Sequence, residues 1–253
     1  MDHVIAFAKK YWITALLIVG ICAGYWGITH AGVLDPVLFP TPERIWQAFM
    51  LHADSMPMNF ASSMRLLIPS LLLGTVLALG AGVLMGMNKR LRETIYLIIY
   101  AVSVIPAILL SPFALHLAPS FTAASVFLIV YNTIWATLFA TVTGIMTIDK
   151  RYMDNASTLC LPARKRLVKV ILPAAMPSIM SGFVTSLRSS FLVLVFAEMY
   201  SAQYGMGYFV KKNADFGLYD NTWAGFLFMI LVLVVVMQIF EKVKNHLLHW
   251  TMD

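Results

Sequence analysis

Charged residues in this sequence are separated by long uncharged stretches: 11–34, 66–88, 94–148, 170–187 and 221–240 hold no Asp, Glu, Lys or Arg. A helix needs about 20 mostly apolar residues to cross a hydrocarbon core about 30 Å thick. Residues 94–148, wound as one helix at about 1.5 Å per residue, would reach roughly 80 Å. Ser111-Pro112 and Ala118-Pro119-Ser120 read as a break there, which leaves spans near 94–113 and 121–147. The 170–187 stretch runs on past Arg188 through Phe191-Leu192-Val193-Leu194-Val195-Phe196, so it is one span with a charge inside it. The sequence predicts six spans, at 11–30, 66–87, 94–113, 121–147, 170–198 and 221–241. The fold class is all-α, a polytopic membrane protein with six transmembrane helices in a single domain, 1–253. Only 12% of the residues are charged, against about 25% in soluble domains. That is too little to coat a globular surface, which excludes a soluble enzyme, a disordered linker and a nucleic-acid-binding arm.

The placement of the cations predicts orientation. With the N-terminus inside, the inner segments carry Lys9, Lys10, Lys89, Arg90, Arg92, Lys150, Arg151, Arg164, Lys165, Arg166, Lys169, Lys242 and Lys244, and the outer ones only Arg44, Lys211 and Lys212. This positive-inside bias accounts for the net charge of +6 without nucleic acid. It predicts a multi-pass protein of the cell inner (plasma) membrane with both termini cytoplasmic. Residues 11–28 follow Lys9 and Lys10 as a signal peptide would. Their apolar run is long for one and Thr29-His30-Ala31 is a poor cleavage site, so a retained span is expected. Residues 35–65 read as an external loop with a short helix around Glu43–Leu51.

Several chemistries find no residues to carry them. Gly-x-x-x-x-Gly-Lys-Ser/Thr is absent, so the chain itself is not expected to bind or hydrolyse ATP and is not an enzyme. The six histidines (His3, His30, His52, His116, His246 and His249) and two cysteines lack metal-ligand or disulfide spacing, so neither a metal nor a cofactor is expected. Gly74, Ala78, Gly82 and Gly86 recur every four residues, a stripe that lets helix backbones approach closely; it suits packing within one subunit or a dimer seam equally. Gly20 and Gly24 form a lesser pair. Arg188 is costly in lipid and must face protein or water. Two readings stand open for it: a lining residue of a translocation path that favours anions, or a structural hydrogen bond to a group such as Asn132. Glu198, about 15 Å further along the same helix, either lines the outer gate or ends the span in water.

The segment 149–169 is the longest polar stretch inside. Residues 150–159 predict a short helix, 160–162 a turn, and Pro162 the start of a second helix running toward Pro173. Such a pair would form a compact knob; the bland alternative is a solvated basic loop. In register the segment carries Asp154-Asn155-Ala156, then Cys160, then Val170-Ile171-Leu172-Pro173. It resembles the coupling motif of binding-protein-dependent ABC importer permeases: Glu-Ala-Ala, a Gly six residues after the Glu, and a closing Ile-x-Leu-Pro. Asp154 replaces Glu, Asn155 replaces Ala, and Cys160 stands where the family has a Gly able to adopt a left-handed turn. Leu38-Phe39-Pro40-Thr41-Pro42, the third-span Pro106 with Ser111-Pro112-Phe113, and Ala197-Glu198-Met199 before Gly205-Met206-Gly207-Tyr208 resemble the nitrate, sulfonate, taurine and bicarbonate branch of that family.

The resemblance implies the type I ABC importer permease fold and a division of labour. A second permease copy, identical or paralogous, would complete the pathway. Two ATPase subunits carrying ATP and Mg would dock below, and an external or periplasmic solute-binding protein would deliver a small solute such as a sulfonate, taurine, nitrate or bicarbonate. Asp154, Asn155, Ala156, Leu159, Cys160 and Leu161 would form the element the ATPase grips, with Arg164, Lys165, Arg166 and Lys169 touching ATPase acids or lipid phosphates. The rival readings are an ion-coupled secondary transporter or channel, which would carry intramembrane acids or inverted repeats, and a non-transporting scaffold.

Overall fold

The computed structural model describes residues 2–249; Met1 and residues 250–253 lie outside the described set, as do the side chains of residues 2–11, Lys9 and Lys10 among them, and of Ser201. A bilayer offers the backbone no hydrogen bonds, so uncharged stretches satisfy their own as helices. In order these are α1 (Asp2–His30), α2 (Pro42–Leu51), α3 (Ser55–Met87), α4 (Lys89–Ser103), a 3₁₀ turn (Ala107–Leu110) leading into α5 (Ser111–Leu117), and α6 (Phe121–Met146). Then follow α7 (Lys150–Thr158), α8 (Ala163–Arg166), a π segment (Leu167–Ile171), α9 (Leu172–Ser201), α10 (Met206–Asp215) and α11 (Tyr219–Leu247). Among the described residues, α1, α3, α6, α11 and the continuous α8–α9 rod are each long and apolar enough to cross a membrane. The α4–α5 pair supplies a sixth span, bent by 77°.

Helix directions follow from which residues meet. On α3, Gly74 faces Thr133, Gly82 faces Thr141 and Gly86 faces Ile145 of α6; the partners advance together, so α3 and α6 are parallel. The segment between them must therefore return across the whole thickness, which makes α4–α5 a true crossing and not a re-entrant loop. On α9, Ser178 meets Gly144, Gly182 meets Ala140 and Ser190 meets Thr133, so α6 and α9 are antiparallel. The stripe Gly74, Ala78, Gly82, Gly86 thus packs against α6 of its own chain, and Ala78 is fully buried. Leu67, Leu71, Leu128, Ile129, Leu187, Phe191 and Leu194 fill the α3–α6–α9 core, with Val232 of α11 against it. Only 6% of the α1 span is buried, and a Cβ added at Gly20 or Gly24 would meet nothing within 4 Å outside its own helix among the described residues. Its last turns are held by Tyr25 Oη donating to the Pro40 carbonyl (2.8 Å) and Trp26 Nε1 to Glu43 (2.9 Å).

Two expectations are corrected. Residues 55–65, read as loop, form the first turns of α3; Pro57 sits where helix N–H groups have no intrahelical acceptor, so its missing donor costs little. The third span is not a straight 94–113 helix. Pro106 disfavours helical geometry in the residue before it, and the chain bends there; Tyr131 of α6 donates to the Val102 (2.6 Å) and Ile105 (3.1 Å) carbonyls. The helix after Pro162, expected to run toward Pro173, runs on through it. Pro173 has no N–H to donate and its ring crowds the Lys169 carbonyl; the coil widens to π geometry over Leu167–Ile171 and continues as α9.

Candidate functional site: a knob and a polar track

At one end of the bundle α7 stands as a knob. Asp149 caps it by accepting from the Arg151 N–H (2.9 Å), and the Arg151 guanidinium hydrogen bonds hold the Asp149 carboxyl below the usual carboxylate range. The helix ends in a Schellman turn: the Leu161 N–H bonds to the Ala156 carbonyl (3.1 Å) and the Cys160 N–H to Ser157 (2.9 Å). That motif needs a left-handed residue after the C-cap, and Cys160 takes it at φ +46°, the only non-glycine with positive φ among the described residues. Cysteine therefore occupies the conformation expected of glycine, with its steric cost. Ala156 is buried, whereas Asp154, Asn155, Cys160 and Leu159 (70% exposed) face outward. Leu161 is half-buried, Arg164 is exposed and the Arg166 Nε is sequestered without a hydrogen-bond partner among the described residues. Beneath the knob, Asp149, Tyr152, Asn155, Leu161, Lys169, Pro173 and Ser178 line a cavity of about 600 Å³.

From Ser178 a polar face climbs α9. Ser178, Ser181, Thr185 and Arg188 follow helical spacing, and the last three are exposed. With Ala136, Ala140, Thr143 and Gly182 the first three border an open groove of about 440 Å³ between α6 and α9. The same face continues through Leu192 to Met199 and Tyr200. There Tyr208, Lys211, Lys212, Asp215 and Phe216 complete a cavity of about 340 Å³ at the α10 end. Arg188 makes no hydrogen bond or ion pair among the described residues. Its expected structural partner, Asn132, is engaged instead with Ser189 (2.9 Å). Further buried bonds zip α6 to α9 behind the track: Thr133 with Ser190 (2.7 Å), Thr137 with Ser186 (2.9 Å), and Ser186 Oγ to the Thr133 carbonyl (2.7 Å). These hold the track rigidly, and its hydroxyls with one cation can coordinate a small polar solute.

Glu198 is a correction. Expected at an outer gate or in water, it is fully buried behind α9 and accepts from the Gly207 N–H at 2.8 Å. Its partners lie on other elements, so nothing local in the sequence marks it as internal. Ser178, Ser181, Thr185 and Thr143 were missed by sequence reasoning, although the spacing of the first three with Arg188 on one face of α9 carried a signal.

Comparison with known proteins converges on one family. The model of the binding-protein-dependent transport system inner membrane component matches residues 70–248. The putative aliphatic sulfonates transport permease protein SsuC of Bacillus subtilis (strain 168) is 25% identical over 246 residues, 96% of this chain and 89% of that protein. Nitrate import permease protein NrtB of Leptolyngbya laminosa is 26% identical over 174 residues, 69% of this chain and 62% of that one. A chain of the inward-facing MetNI methionine ABC transporter superposes with a TM-score of 0.64 at 14% identity, covering 73% of this chain and 92% of its own length; this likeness concerns the fold.

Proposed function

The chain belongs to the binding-protein-dependent transport system inner membrane components, and on that premise we propose that the exposed face of α9 is its half of a solute pathway. It is a permease subunit of an ABC importer and a multi-pass membrane protein; membership sets aside the ion-coupled carrier, the channel and the scaffold. The observation that carries the pathway reading is Arg188. A cation exposed near the middle of a membrane helix, with no partner among the described residues, belongs against water or another protein and not lipid. A second permease copy facing this surface would enclose a polar conduit along Ser178, Ser181, Thr185 and Arg188. The solute class that suits hydroxyls around one guanidinium is a small oxyanion, in keeping with the sulfonate and nitrate named for the relatives.

The α7 end then faces the cytoplasm of an inner-membrane protein with both termini inside, and the α10 end faces an external solute-binding protein. Two ATPase subunits grip α7, using the exposed Asp154, Asn155, Leu159 and Cys160. The rigid α8–α9 rod carries their closure to the track as a two-state switch. The test is uptake by the permease reconstituted with its ATPase and binding protein. Arg188→Leu should cut uptake about tenfold or more while Arg188→Lys retains part of it, as expected for charge stabilisation; wild-type uptake by Arg188→Leu overturns the pathway. Asp154→Lys with Arg166→Glu should leave ATP hydrolysis running without uptake, and coupled transport in that variant overturns the knob's role.

A further inference from the structure

Glu198 is the one fully buried acidic or basic side chain among the described residues, and the pathway does not use it. What it touches is the beginning of α10. The first turn of a helix leaves backbone N–H groups without intrahelical acceptors, and here three successive amides each find a side chain from another element. The Gly205 N–H donates to Asn59 Oδ1 (3.1 Å), the Met206 N–H to Ser63 Oγ (3.0 Å), and the Gly207 N–H to Glu198 Oε2 (2.8 Å). Asn59 and Ser63 are one turn apart on α3, and Glu198 comes from α9, so the clamp ties three helices together. Space is tight around it. Gly205, at φ +129°, would carry a Cβ 2.4 Å from the Glu198 Cδ, and a Cβ on Gly207 would lie 2.4 Å from the Val195 carbonyl oxygen. The Glu198 Oε1 accepts no hydrogen bond among the described residues. The contact therefore uses one acceptor of glutamate length.

The far side of the same helix reaches the end of the α9 track. Tyr208 and Lys212, with the Lys212 Nζ 5.6 Å from the Tyr208 ring centroid, stand beside Tyr200 in the cavity at the α10 end. We propose that Glu198 is a positioning residue: with Asn59 and Ser63 it fixes α10 so that Tyr208 and Lys212 form the outer mouth of the pathway. This rests on the α9 pathway proposed above. The geometry of the clamp itself does not, because backbone exchange reports it with no solute moving.

The experiment is amide hydrogen exchange over residues 203–209, with uptake measured in parallel, on the assembled importer in lipid nanodiscs and proteoliposomes. Glu198→Ala should speed exchange at Gly207 and its neighbours by about tenfold or more, the effect of losing one buried acceptor. It should lower the maximal uptake rate comparably, with half-saturation by loaded binding protein within about twofold. Glu198→Gln, which keeps the acceptor, should restore both. Unchanged exchange in Glu198→Ala, faster exchange with wild-type uptake, or a Glu198→Gln as damaged as Glu198→Ala each overturns the proposal. If Glu198→Ala does not assemble, Asn59→Ala removes the Gly205 acceptor without touching the carboxyl, and unchanged exchange there overturns it equally. A failed Arg188 test alongside faster exchange in Glu198→Ala would locate the error in the pathway and not in the clamp.

Discussion

Gly182→Ala tests the packing that holds the track in place. A methyl at residue 182 would lie 2.3 Å from the Ala140 Cβ, 2.7 Å from the Ala136 carbonyl oxygen and 3.2 Å from the Thr137 Cα. Carbon atoms in contact rest about 3.5–4.0 Å apart, so α6 and α9 must part locally by about 1.2 Å or more. Two of the three obstructing atoms belong to the backbone and cannot rotate away. One turn along, the Thr137–Ser186 bond at 2.9 Å would be stretched beyond the range of a useful hydrogen bond. Overpacking costs about 1–3 kcal/mol and the lost bond about 1 kcal/mol, together about 2–4 kcal/mol. On a chain of this size that corresponds to a fall of roughly 5–15 °C in the unfolding midpoint of the purified permease, with uptake reduced because Ser181 and Thr185 move with the displaced face. Adding Ala140→Gly transfers the methyl from one helix to the other. It removes the shortest contact and leaves the carbonyl, so about half the loss should return, as a coupling between neighbours. An unchanged midpoint and normal uptake for Gly182→Ala alone would refute the close approach.

Other consequences are smaller. Cys160→Gly relieves a left-handed residue that costs about 1–2 kcal/mol, offset by about 0.5–1 kcal/mol of unfolded-chain entropy, so α7 should exchange its amides the same or more slowly; faster exchange would count against the Schellman turn. Tyr131→Phe removes the donor shared by the Val102 and Ile105 carbonyls and should lower stability by about 1–2 kcal/mol, read as a lower unfolding midpoint; an unchanged midpoint would contradict the cap at the bend. The Asp149 carboxyl is held below the usual range by Arg151. A folded-state depression contributes stability above the unfolded value and loses it as pH falls through the depressed one. Amide protection of α7 should therefore persist down to about pH 5 and fade only below about pH 4; loosening between pH 7 and 5 would contradict the cap.

The spans were legible because charges are expensive in lipid, so gaps between them mark crossings. The knob was legible because the turn at 160–162 and Pro162 are local turn chemistry, and the left-handed position at 160 because the segment resembles a motif with Gly there. What stayed hidden depends on partners distant in sequence. The bend at Pro106 is stabilised by Tyr131, on a helix that begins after it, and Glu198 is buried only because Gly205 and Gly207, at a helix start held by Asn59 and Ser63, close over it. The start of α3 was obscured by Asp54, Pro57 and Arg65, which resemble a loop until Pro57 is placed in a first turn. The stripe Ser178, Ser181, Thr185 stayed hidden because hydroxyls, unlike charges, pass unnoticed in an apolar span.

The pathway along α9 is most directly tested by thiol accessibility. With Cys22→Ser and Cys160→Gly as background, single cysteines at Ser181, Thr185 and Leu192 are compared with ones at the exposed Leu77 and Leu231 on other faces. A charged, membrane-impermeant thiol reagent is applied from both sides of the assembled importer. Reaction requires a hydrated thiolate, so the track positions should react about tenfold faster or more, and transported solute should slow them. Track cysteines as inert as those at Leu77 and Leu231 would mean that this face meets lipid, and the pathway would lie elsewhere.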